Sequence, residues 1–225
     1  MMSLKQNYDG TSSYFMIPLM EEEYTPVGAP RLAVQAESEN LDKGGMSFHA
    51  LPAFSTYARK SYWIDIYNQG TGELNWSVAP SDDWILISQK SGKTSTENRI
   101  HISVNWDKVP VGEKVKGQID ITSGNQKESV LVSVFNPESP ARDELQGLYV
   151  EENGYISIPA ADFHRKFESN DIQMNILAGL GFEGRSLQLG NPTAPLQMYR
   201  AGDVPRVEYD FYTFNAGIYD VYTYV

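Results

Sequence analysis

The reactive inventory of this chain is short. It contains no cysteine and three histidines, His49, His101 and His164. Without thiols there is no disulfide, no thiolate metal site and no Cys nucleophile. The histidines share no HxH or HExxH spacing, so no metal centre is expected. No G-x-S-x-G elbow is present to seat a serine nucleophile. Gly179-Leu180-Gly181-Phe182-Glu183-Gly184 spells G-x-G-x-x-G. A dinucleotide site needs that motif between a strand and a helix, so that the pyrophosphate meets the helix N-terminus. Here Ser186-Leu187-Gln188-Leu189, Gly190 and Pro192 follow, and a Gly-rich β-turn is expected instead. Gly92-Lys93-Thr94 has the look of a phosphate-loop ending, but the required first glycine falls on Ile87. The cradle of backbone N–H groups cannot form, and this stretch also reads as a turn.

Paired carboxylates are the other chemistry to weigh. Asp82-Asp83, Asp143-Glu144 and Glu151-Glu152 all fall in turns or linkers. Glycoside hydrolysis needs two carboxylates about 5–10 Å apart across a cleft, and these pairs read as solvated charge. Sugar binding needs solvent-facing aromatic rings on which the C–H faces of a pyranose stack. Trp63 and Trp84 lie inside apolar strands and read as core, whereas Trp106 precedes Asp107-Lys108 at a strand end. Tyr199, Tyr209 and Tyr212 are exposed candidates further along. Trp106, Tyr199 and Tyr212 are the carbohydrate-binding candidates; no catalytic residue, metal ligand or cofactor is expected.

The elements that must position these residues are strands. The 225 residues carry 14 Tyr and 12% aromatics, with Gly and Pro at turn-like intervals and no long amphipathic helical run. Residues 1–45 read as an N-terminal arm or linker, with a short strand from Arg31 to Ala36. Residues 46–137 alternate through Tyr62–Tyr67, Leu74–Ala79, Trp84–Ile87, Arg99–Trp106, Gly117–Ser123 and Ser129–Phe135, the spacing of an immunoglobulin-like sandwich. All four Trp lie there, so this unit has its own core. Residues 138–147 read as a linker. Residues 148–225 open a second, partial β-sandwich of jelly-roll or carbohydrate-binding-module type, with strands at 155–158, 175–177, 186–189, 207–211 and 218–225. The last of these ends within Tyr222-Thr223-Tyr224-Val225, so further strands are expected beyond it.

The net charge is −11 and the pI about 4.7. Phosphate-tracking proteins need a basic stripe, and none is present, so nucleic acid and anionic membranes are not expected partners. No apolar run approaches the ~20 residues that cross a bilayer, and residues 1–10 hold no apolar signal-peptide core.

Several stretches carry a family likeness: Leu51-Pro52-Ala53-Phe54, Tyr62-Trp63-Ile64-Asp65-Ile66-Tyr67-Asn68-Gln69-Gly70, Val104-Asn105-Trp106-Asp107-Lys108-Val109-Pro110 and Gly117-Gln118-Ile119-Asp120-Ile121. They resemble the region after the catalytic domain in xylan α-1,2-glucuronidases of glycoside hydrolase family 115. Trp84-Ile85-Leu86-Ile87-Ser88 with Ser91-Gly92 is also similar to BACON-type Ig-like domains of gut Bacteroidetes. Asn153-Gly154-Tyr155-Ile156-Ser157-Ile158, Gly179-Leu180-Gly181 and Val207-Glu208-Tyr209-Asp210-Phe211 resemble that family's C-terminal β-sandwich. The resemblance implies a periplasmic or extracellular enzyme releasing glucuronic acid from xylan, with its catalytic machinery outside this chain. Related sandwiches open with an I-E-A-E-like segment that serves calcium; here the segment is Ile158-Pro159-Ala160-Ala161-Asp162, without either glutamate. The implied partners are the parent's catalytic domain, glucuronoxylan and a second copy of the chain. The expected function is an accessory, non-catalytic region of a glucuronoxylan-degrading hydrolase. The alternative is a stand-alone glycan-binding or cell-surface adhesion module.

Overall fold

The computed structural model describes residues 28–38, 49–169, 172–181, 183–190, 193 and 205–224. Strands β1 (Leu32–Ala36), β2 (His49–Ala50), β3 (Phe54–Ser55), β4 (Tyr62–Asn68), β5 (Leu74–Pro80), β6 (Ile85–Ile87), β7 (Ser91–Thr94), β8 (Glu97–Val104), β9 (Gly112–Ser123) and β10 (Gln126–Asn136) build the first unit. They form two sheets. One runs β1-β4-β8-β6; the other runs β2-β10-β9-β5-β7, with β3 also pairing β10.

Alternation drives this arrangement, because successive strand residues face opposite sides. Tyr62, Ile64 and Ile66 of β4 point inward, as do Leu74, Trp76 and Val78 of β5 and Ile100, Ile102 and Val104 of β8. Ile119 and Ile121 of β9 lie on the same buried face of their sheet as Val130, Val132 and Val134 of the neighbouring β10, within one continuous core. Each fully buried Ile or Val contributes about 1.5–3 kcal/mol. The sandwich starts before residue 46. Leu32, Val34 and Ala36 are buried in the same period-2 pattern and pair with Asn68, Ile66 and Ile64, so the segment read as an arm supplies an edge strand.

Two tryptophans fit because a glycine lies opposite. A Cβ on Gly92 would stand 2.4 Å from the Trp76 ring, and one on Gly117 would stand 2.8 Å from both Trp84 and Ile85. Gly92-Lys93-Thr94, expected as a turn, is therefore strand β7 on the sheet edge, seated over Trp76. Trp63, expected in the core, lies on the outer face of β4, because Tyr62 and Ile64 take the inward positions. The Arg99 guanidinium stacks 3.9 Å from its ring centroid and is held there by a two-pronged bond to Asp65.

The second unit is also built of strands. After a 3₁₀ turn, Arg142–Leu145, come β11 (Tyr149–Val150), β12 (Arg165–Phe167), β13 (Met174–Ala178), β14 (Arg185–Leu189), β15 (Arg206–Glu208) and β16 (Phe211–Tyr212). They pair as three two-stranded ladders: β11 with β16, β12 with β15, and β13 with β14. The three glycines of the G-x-G-x-x-G segment fall in the β13–β14 connection. Gly179, Gly181 and Gly184 all have positive φ, and the Gly179 N–H donates to the Gly184 carbonyl at 2.8 Å. The strand expected at 155–158 is absent. Asn153 (φ 53°) and Gly154 (φ 83°) instead make a tight turn bridged by Glu152 and Tyr155, the conformation an Asn-Gly pair favours. The expected strand at 207–211 divides into β15 and β16. Residues 218–224 enter no ladder among the described residues and are exposed throughout.

Candidate functional site

The two units meet along a joint assembled from short-range sequence features on each side. Thr56 hangs from β10 through its N–H to the Phe135 carbonyl at 3.0 Å, which brings Tyr57 beside Phe135. The Tyr57 hydroxyl donates to the Pro140 carbonyl at 2.7 Å, and burial raises its pKa above the ordinary value. Phe214 of the second unit inserts among three rings. Its centroid lies 4.7 Å from Phe135, 5.2 Å from Tyr57 and 5.2 Å from Tyr212. The Phe214 N–H donates to a Glu151 carboxylate oxygen at 2.9 Å, which fixes how the ring enters. Leu145, in the 3₁₀ turn of the segment expected as a linker, is buried.

Polar contacts complete the joint. Glu152, only 10% exposed at its side chain, takes the Lys60 ammonium at 2.5 Å and the Tyr62 hydroxyl at 3.3 Å. Burial, and then the Glu152 carboxylate, push the Tyr62 phenol pKa well up. Asn153 bonds to the backbone of Ala53 through both ends of its amide. Glu151-Glu152, read from sequence as solvated charge, is thus a structural pair. An Asn-Gly turn is legible in a sequence; the partner that such a turn presents its neighbouring carboxylate to is not.

Beside these contacts a cleft of about 480 Å³ opens, lined by Glu37, Ser38, Ala50, Leu51, Pro52, Lys60, Tyr62, Asn153 and Tyr155. It draws side chains from both units. A groove of about 530 Å³ on the outer face of the β1-β4-β8-β6 sheet includes Gln35, Asp65 and Tyr67. Its Asp65 is already committed to Arg99.

The three carbohydrate-binding candidates are not gathered in one place. Trp106 is half-buried against the first core, with the Arg59 guanidinium 5.6 Å from its ring centroid. Tyr212 belongs to the ring cluster of the joint. Tyr199 lies outside the described residues. No ring contact joins Trp106 to Tyr212 among the described residues. Tyr209 donates its hydroxyl to the Ala160 carbonyl at 2.7 Å. His164 sits between Gly147 and Asp210: one ring nitrogen is 2.6 Å from the Gly147 carbonyl and the other accepts the Asp210 N–H at 3.0 Å. The described residues contain no group of three or more side chains able to hold a metal ion.

Family comparison assigns both units. Residues 148–225 match the glycosyl hydrolase family 115 C-terminal domain, and residues 53–135 match the viral BACON domain. The first unit is thus similar to BACON domains and the second to the family 115 C-terminal domain. The family 115 match supports an accessory region of a glycoside hydrolase. No curated protein matches the sequence. Similar solved structures include a Bacteroides ovatus GH5 xyloglucanase in complex with a XXXG heptasaccharide, at 18% identity and a TM-score of 0.33 over 50% of this chain and 21% of that one. A family 123 glycoside hydrolase from Clostridium perfringens is similar at 12% identity and a TM-score of 0.35, over 48% and 28%. The surface layer protein SbsC, domains 1–6, is similar at 12% identity and a TM-score of 0.33, over 86% and 27%. The chain thus spans about a fifth of the xyloglucanase. The joint and its cleft lie between the BACON-like domain and the family 115 C-terminal domain.

Proposed function

We propose that this chain serves a periplasmic or extracellular glucuronoxylan-degrading enzyme as a rigid accessory region, seated against the enzyme's catalytic domain. The observation that carries this reading is the joint. Phe214 in its ring cluster, Glu152 on Lys60 and Asn153 on Ala53 tie the family 115 C-terminal domain to the BACON-like domain at three separate points. A part that braces another must not bend at its own middle, and three unlike contacts across one junction resist bending in different directions.

The test is association in trans. The catalytic portion of a family 115 enzyme from the same source is mixed with the purified chain and followed by analytical ultracentrifugation. A heterocomplex with a raised melting temperature supports bracing. A chain that sediments alone, or as its own dimer only, removes the catalytic domain as partner. Release of glucuronic acid from glucuronoxylan by the chain alone overturns the accessory reading altogether.

A further inference from the structure

The cleft at the joint combines exposed aromatic, hydroxyl and charged side chains. Tyr155 stands on its rim, 58% exposed, with no ring partner among the described residues. Its backbone is held against Glu152 on both sides, the N–H donating at 3.2 Å and the carbonyl accepting at 2.9 Å. An aromatic face fixed at its backbone and open to solvent is what the C–H face of a pyranose stacks on. The walls supply mixed hydrogen-bonding capacity. Glu37 spends one carboxylate oxygen on the Trp63 N–H at 2.9 Å, and its other oxygen has no partner among the described residues. Lys60 gives one ammonium proton to Glu152 and keeps two. The Ser38 hydroxyl is exposed beside them. Acceptor, donor and two-way hydroxyl together suit a ligand whose every hydroxyl both gives and takes a hydrogen bond.

Backbone strain points to the same place. Three non-glycine residues with positive φ are found among the described residues: Ser38 at 62°, Arg59 at 51° and Asn153 at 53°. Ser38 and Asn153 line the cleft, and Arg59 directly precedes Lys60, which also lines it. Strained conformations persist where the surrounding structure over-determines them, and they gather at ligand clamps.

Charge selects among sugars. Among the described residues Lys60 is the one cation lining the cleft, and Glu152 already pairs with it. Among the described residues, the second oxygen of Glu37 leaves the lining net negative, which disfavours a uronate. We infer that the cleft between the two domains binds a neutral pyranose of a polysaccharide backbone, stacked on Tyr155, rather than the acidic branch. The choice of polymer rests on the accessory reading; the preference for a neutral sugar rests on the cleft alone.

The test is calorimetric titration of the whole chain with xylohexaose, with cellohexaose, and with a xylo-oligosaccharide bearing one glucuronic acid. Neutral oligosaccharides are expected to bind in the millimolar range, with the acidic branch adding nothing. Tyr155→Ala is expected to weaken binding about tenfold and Glu37→Gln about fivefold, both with unchanged melting. Binding of cellohexaose but not xylohexaose keeps the site and removes the xylan assignment, and with it that part of the accessory reading. Binding only of the acidic oligosaccharide, no binding at 10 mM or so, or neutral binding indifferent to Tyr155→Ala each overturns the inference. The association test in trans is unaffected by any of these results.

Discussion

Asn153 closes two hydrogen bonds on the main chain of Ala53, across 100 residues of sequence. Its carbonyl oxygen accepts the Ala53 N–H at 3.0 Å, and its amide nitrogen donates to the Ala53 carbonyl at 3.3 Å. The residue does so from a left-handed backbone conformation that Asn tolerates better than most side chains. Asn153→Ala loses both bonds and adds a conformational cost, for about 2–3 kcal/mol in all. Asn153→Gly keeps the backbone and loses only the bonds, for about 1 kcal/mol. Urea unfolding of both variants checks the order. Equal losses would mean that the side-chain bonds contribute all of the effect.

Phe214 is the ring that the joint closes around. Phe214→Ala is expected to cost about 2–3 kcal/mol, somewhat below a fully buried Phe because the ring is only half-buried. The sharper readout is limited proteolysis, with faster cleavage at Asn136–Gly147 in the variant. An unchanged digestion pattern would show that the ring cluster does not hold the connection.

The Tyr62 phenol is buried and faces Glu152, so its folded pKa lies above its unfolded value. A raised pKa gives stability that is complete below the unfolded value, about 10, and is lost as pH rises above it. Stability is therefore expected to fall from about pH 10 upward, and Tyr62→Phe is expected to flatten that limb. Chemical denaturation between pH 9 and about 11.5 reads this directly; parallel limbs in parent and variant would assign the fall to another group.

Asp120 behaves in the opposite sense. The Lys127 ammonium above all, with help from Ser129 and Gln118, holds its carboxyl below the ordinary range against the opposing effect of burial. A depressed folded pKa gives stability that is present above the unfolded value and is lost as pH falls through the folded one. Asp120→Asn is expected to be less stable at neutral pH by at most about 1 kcal/mol, because the ion pair is partly in solvent, and to lose less below pH ~4. Convergence of the two stability curves in acid is the signature; curves that stay parallel would remove Asp120 from the acid limb.

Gly92→Ala brings a methyl group into the Trp76 ring. The sheet edge or the indole must shift, at a cost of about 1–3 kcal/mol. The Trp76 indole nitrogen is buried with no hydrogen-bond partner among the described residues, so a displaced ring has no polar tether there to recover. Tryptophan emission and the unfolding midpoint should change together. A neutral substitution would show that β7 yields freely.

The first unit was the more legible part because its strands state their own period. Ile64-Ile66, Ile100-Ile102 and Val130-Val132-Val134 need one face buried and find it across the sandwich. Trp63 misled because an apolar side chain beside apolar neighbours reads as core, although its odd position in the alternation places it outside. Gly92 misled because a glycine that makes room for a ring looks like a glycine that makes a turn. In the second unit the turns were clearer than the strands: the glycines at 179, 181 and 184 mark one, whereas residues 155–158 carry strand-like residues behind an Asn-Gly turn that points them elsewhere. The joint was the least legible feature. Glu152 and Lys60 are 92 positions apart, and nothing local to either names the other.

The position of the joint along the chain also sets an order of assembly. Its first-domain side consists of Ala53, Tyr57, Lys60, Tyr62 and Phe135, all of which precede Glu152 in the sequence. The β9–β10 hairpin closes through Gly124-Asn125 over a short loop, and β2 and β3 then add along the free side of β10. A ribosome releases the chain from the N-terminus, and domains fold as units in that direction. The residues of the docking surface are therefore all released before Asn153 and Phe214, so the BACON-like domain can act as a mould on which the later domain sets.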